Sequence, residues 1–98
     1  MPMTEEERSN LQSLYAGRHK AHILQHYPQM YASMQAKGTL EPYLEEIGRS
    51  AATMYELIID QMTEKAAQMP ETNRQSYLDS APLVAAEMVN TDIVYVKL

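Results

Sequence analysis

The chain has 98 residues, a net charge of −5 and no cysteine. That length supports one domain with a modest core, because a chain this short buries only about two-thirds of the surface it exposes when unfolded. The missing thiols exclude disulfides, thiolate catalysis and cysteine-bearing zinc sites, and no apolar run approaches the roughly 20 residues of a membrane span.

The first residues, Met-Pro-Met-Thr-Glu-Glu-Glu-Arg, are polar and acidic, unlike a secretory signal. The expected location is the cytoplasm. Thr4 and Glu7 match a capping box, with glutamates in the first turn where the helix dipole favours them. A first helix is expected from Glu5 to His26, with Leu11, Leu14, Tyr15, Ile23 and Leu24 on its buried side. Gly17 weakens its middle by roughly 1 kcal/mol relative to alanine, which allows a bend. Pro28 keeps Tyr27 out of helical geometry and opens a second helix to Lys37, closed by Gly38. Met30, Tyr31 and Met34 are its apolar positions.

Pro42 is expected to open a third, central helix that ends before Pro70. Leu44, Ile47, Ala51, Met54, Ile58 and Met62 follow one helical face, widened by Tyr55, Leu57 and Ile59. Thr72 or Asn73 can cap a fourth helix carrying Tyr77, Leu78, Ala81, Val84, Ala85, Met88, Val89 and Ile93. Pro82 lies inside it and should kink it, or restart it with Ser80 as cap. Ile93-Val94-Tyr95-Val96 is β-branched, but no partner strand is evident, so continued helix is the expectation. The fold class is therefore all-α: one domain over residues 1–98, a small bundle of about four helices with a long central helix and a kinked C-terminal one.

Phenylalanine and tryptophan are absent, and the large side chains include seven tyrosines and eight methionines. Met30, Met34, Met54, Met62 and Met88 read as an adaptable core, or as a groove for a partner helix. Most tyrosines should sit at the core edge, where the hydroxyl finds a partner. Charge is unevenly spread. Residues 8–40 carry Arg8, Arg18, Lys20, Lys37 and all three histidines, with no carboxylate, whereas residues 41–98 carry ten acidic and four basic residues.

His19, His22 and His26 are spaced three and four apart and share a helical face. Such a trio can hold zinc or nickel, but no nearby carboxylate orients the rings, and a polar surface face is the simpler reading. Neither a metal nor another cofactor is expected. Arg18, His19, Lys20, His22 and His26 are the candidate contact surface for a partner or nucleic acid. Only two of them carry a full positive charge, and the sequence pI is near 5, which argues against direct nucleic-acid binding. Glu56, Asp60 and Glu64 represent an acidic surface that could occupy a cationic groove, although acidic residues on helices are more often simply solvated. Glu45 and Glu46 are adjacent and point apart, and there is no phosphate loop or nucleophile elbow. The expectation is a non-enzymatic binding protein, with catalytic residues none.

The stretch His26 to Ile47 reads His-x-Pro-x-Met-Tyr-x-x-Met-x-x-x-Gly-x-Leu-x-Pro-x-Leu-x-Glu-Ile, followed by an Ala/Met-rich helix and an Ile-Val-Tyr segment. It resembles the TnpV family, small proteins of transposons and other mobile genetic elements, through His26, Pro28, Tyr31, Gly38, Leu40, Pro42, Leu44, Glu46 and Ile47. The resemblance is strongest over residues 23–67. It implies an accessory role in DNA recombination, which has been suggested to be excisionase-like. Family members carry an arginine-rich run before the motif; here it is thinned to Arg18-His19-Lys20-Ala21-His22. The leading expectation is an accessory protein that binds a protein of a nucleic-acid-handling complex, such as a recombinase. The alternatives are an anti-CRISPR inhibitor that uses the acidic surface on a CRISPR effector, and an excisionase-like DNA binder. No membrane partner is expected, and a homodimer stays open.

Overall fold

Local chemistry sets the first helix boundaries. The Thr4 hydroxyl accepts the Glu7 backbone N–H at 3.1 Å and donates to the Glu7 carboxylate at 3.2 Å. From this cap helix α1 runs Glu5–His26, in a computed structural model that describes residues 3–98; Met1 and Pro2 of the polar lead lie outside the described residues. Gly17 does not interrupt α1. Tyr27 leaves helical geometry (φ −135°) and Pro28 restarts the chain as α2, Pro28–Lys37. Gly38 closes α2 in the left-handed conformation, φ 73°, where a side chain would be strained.

Helix α3 spans Leu40–Ala66 and starts two residues earlier than the proline suggested. Pro42 sits in its first turn, where a missing N–H costs nothing because those donors have no helical partner. Helix α4 spans Glu71–Val89, follows Pro70 directly, and stays helical through Pro82, so the restart at Ser80 does not occur. The Ser80 hydroxyl donates to the Tyr77 carbonyl at 2.7 Å instead. Beyond α4 the expected helix gives way to a π turn, Asn90–Val94, closed by Tyr95 N–H on the Asn90 carbonyl at 2.8 Å. The final residues run without regular structure. There is no strand among the described residues.

α3 lies centrally, packed by α1 on one side and α4 on the other, with α2 and the π turn closing one end. α1 and α3 approach each other closely at Gly48. A Cβ there would stand 2.6 Å from the Gln12 carbonyl oxygen, so only glycine permits this approach. Two apolar clusters result. Tyr15, Ala51, Val89 and Val94 form the first, edged by Leu11, Met54, Tyr55 and Ile93. Ile23, Leu40 and Leu44 form the second, edged by Tyr27, Met30, Tyr31, Met34 and Tyr43.

The tyrosines mostly take edge positions, as their hydroxyls require, but Tyr15 is fully buried. The methionines edge the clusters rather than fill them, and Met88 is exposed. Three leucines expected inside, Leu14, Leu24 and Leu57, are about half exposed. The reason is that α1 and α3 each bury only a narrow stripe against one another, so apolar residues off that stripe face outward. The buried stripe of α4 is Ala81, Ala85 and Val89. Small side chains let helices approach closely but bury little apolar area.

Candidate functional site

The five candidate residues Arg18, His19, Lys20, His22 and His26 occupy the C-terminal half of α1. The periodicity of α1 separates them. His19 points inward, on the same face as Tyr15 and Ile23, and has no exposed surface. Its Nδ1 lies 2.8 Å from the Val94 carbonyl and its Nε2 lies 2.7 Å from the Tyr43 hydroxyl. A neutral ring satisfies both contacts, in keeping with its burial. It donates Nδ1–H to Val94 and accepts the Tyr43 O–H at Nε2. Burial pushes the imidazole below its ordinary value near 6.5; the Val94 bond opposes that shift and the neighbouring His22 adds to it. Burial likewise raises the Tyr43 hydroxyl.

His22 is half-buried, and its Nε2–H donates to the Val96 carbonyl at 3.0 Å. The Tyr95 ring meets it edge-on with centroids 5.6 Å apart, and the His26 ring lies tilted against it at 4.9 Å. The Tyr27 hydroxyl accepts the Leu98 N–H at 3.0 Å. These contacts seat the C-terminal tail along α1. Arg18 is also engaged: a guanidinium N–H donates to the Asn90 side chain at 3.4 Å, and the group lies 5.4 Å from the centre of the Tyr15 ring. Lys20 and His26 alone of the five are exposed.

The structure therefore divides the predicted contact surface. His19 is withdrawn from it, since a residue with no exposed area touches no partner in this conformation. Arg18 and His22 tie the tail and the π turn to α1. The three imidazoles do not converge: both His19 nitrogens are occupied, and among the described residues no three His, Cys, Asp or Glu side chains are placed to hold a metal together.

Lys20 instead faces a cleft of about 460 Å³ between α1 and α3, lined also by Gln12, Gly17, Glu41, Glu45 and Arg49. The cleft mixes both charge signs. Sequence reading missed Arg49, Glu41 and Glu45 as a group with Lys20, because only the α1–α3 crossing brings them beside it. It missed Tyr43 and the Val94 carbonyl for the same reason, since no local pattern signals a pairing 75 residues away in sequence.

The acidic trio is also divided. Glu56 receives Arg8 in a forked pair with distances of 2.9 to 3.1 Å. Asp60 and Glu64 remain exposed, four residues apart on α3. Among the described residues no helix is long and apolar enough to cross a membrane.

These features define an all-α protein in which Arg8, Arg18, His19 and His22 tie its own helices and tail together. The profile of the transposon-encoded protein TnpV matches residues 1–94, and the chain belongs to that family. The match extends beyond the motif of residues 23–67 to α1 and α4. No curated protein and no solved structure matches the chain.

Proposed function

We propose that this transposon-associated protein is a non-catalytic accessory factor that docks on a protein of a nucleic-acid-handling complex, such as the recombinase of its element. One observation carries the preference for a protein partner over DNA. The basic run of α1 does not present a basic face: Arg18 is engaged by Asn90, His19 is buried and His22 holds the tail. Phosphate contacts dominate nucleic-acid affinity, and within this run only Lys20 combines a full positive charge with an exposed side chain. The mixed-charge cleft at Lys20, Arg49, Glu41 and Glu45 suits a protein surface, where complementary charges set register and partner choice.

Fluorescence anisotropy of labelled duplex DNA at low salt, beside co-purification with the element's recombinase, tests this reading. The expected result is no DNA binding, together with recombinase capture that Lys20→Glu and Arg49→Glu abolish. Tight DNA binding that falls steeply with salt would replace the reading with the excisionase-like one. The exposed pair Asp60 and Glu64 supports the inhibitor reading to a lesser degree, since Glu56 is already partly neutralised by Arg8. Inhibition of a CRISPR effector that is lost on charge reversal of Asp60 and Glu64 would favour it.

A further inference from the structure

The described chain is thin and long, with extents of 54 × 25 × 13 Å and a radius of gyration of 16.0 Å. A compact domain of this length has a radius of gyration of about 12.6 Å. The accessible surface is 6682 Å², whereas a folded monomer of 11.2 kDa exposes about 5,700 Å². The excess, about 1,000 Å², is larger than the roughly 800 Å² that each partner buries in a standard interface.

The position of the excess follows from the helix lengths. Arg8 of α1 is level with Glu56 of α3. From there α1 has only three more residues, whereas α3 runs ten further, about 15 Å at the helical rise. Over that length α3 has α4 as its companion, and the two form a projecting hairpin. Where the hairpin leaves the body, Leu11 and Leu14 of α1, Tyr55 and Ile59 of α3 and Pro82 of α4 line an apolar groove of about 460 Å³. The groove side continues outward by helical spacing, through Met62 three residues beyond Ile59 and Leu78 four before Pro82, both half-buried. The opposite side of α3 carries Glu46, Ser50, Thr53 and Leu57 and is mainly polar.

We propose that a second copy of this chain covers the groove, with two α3–α4 hairpins packing antiparallel about a two-fold axis into a four-helix bundle. A self-complementary arrangement places each hairpin on the other's groove. It supplies the apolar burial that an alanine-lined α3–α4 interface does not. This inference is independent of which partner the accessory reading requires.

Sedimentation velocity of the full chain over about 1 to 100 µM tests it, with far-ultraviolet circular dichroism on each variant. The wild type should sediment as a dimer. Leu14→Lys, on the exposed groove wall, should weaken association roughly a hundredfold with the helical signal retained, because a two-fold interface loses the residue twice. Leu57→Lys, about 160° round α3 from Tyr55 and Ile59, should leave the dimer intact. Should Leu14→Lys lose helical signal, a nitroxide on Asn10→Cys at the groove rim replaces it, and intermolecular dipolar broadening is expected. A wild type monomeric at every concentration, absent broadening, or dissociation by Leu57→Lys would each overturn the proposal.

Discussion

Two glycines in long helices should respond to alanine in opposite directions. At Gly48 a new Cβ would meet Gln12 backbone atoms at 2.6, 3.1 and 3.3 Å. An ordinary carbon–oxygen approach is about 3.3 Å, so α1 and α3 must part by roughly 0.7 Å there, and backbone cannot swing aside as a flexible side chain would. Overpacking of this kind costs about 1–3 kcal/mol, against a gain of about 1 kcal/mol from replacing glycine in a helix. The net expectation for Gly48→Ala is a loss of up to about 2 kcal/mol, or a fall in Tm of about 4–8 °C per kcal/mol for a domain this size. At Gly17 nothing lies within 4 Å of the added Cβ. Gly17→Ala should therefore gain about 1 kcal/mol. Urea unfolding followed by circular dichroism, at one fixed protein concentration, measures both. Equal stabilisation by the two substitutions would refute the close crossing at Gly48, and with it the packing of α1 on α3.

Two further predictions concern buried and paired groups. Burial lowers the pKa of His19 in the folded chain below the value near 6.5 at which the unfolded imidazole takes up a proton. Below that pH the unfolded state binds more protons, so the contribution of His19 to stability is complete above pH 6.5 and declines as pH falls through it. Urea midpoints at about pH 7.5 and about pH 5.5 should differ more for the wild type than for His19→Gln; an equal difference would show that another group is responsible. The Arg8–Glu56 fork is partly exposed, at 40% and 22% for its two side chains. A double-mutant cycle on Arg8→Ala and Glu56→Ala should show a coupling that shrinks as salt is raised, and a salt-independent coupling would contradict the pairing seen here.

What was legible in the sequence was local. Thr4, Pro28 and Gly38 act on their nearest neighbours, and the bounds of α1 and α2 follow from them without reference to the rest of the chain. The spacing of apolar residues likewise made α3 the longest and central helix. The family was legible too, through a motif dominated by such helix-boundary residues. Two later starts were misjudged by two or three residues, at Leu40 and Glu71, because the first turn of a helix tolerates proline and a strong cap is not obligatory.

The candidate site depended on the opposite kind of information. Arg18, His19, Lys20 and His22 look alike as a polar run, and sequence alone treats them as one surface. Their fates diverge because Val94, Val96 and Asn90 fold back onto α1 and Tyr43 arrives from α3. The two mid-helix glycines are equally indistinguishable in sequence; the crossing geometry makes Gly48 a requirement and Gly17 a weakness. Residue identity and spacing thus determined the helices, their order and the family. Which polar groups face solvent, and which glycine is needed, was decided by tertiary packing, because burial and hydrogen bonding depend on atoms brought together from distant parts of the chain.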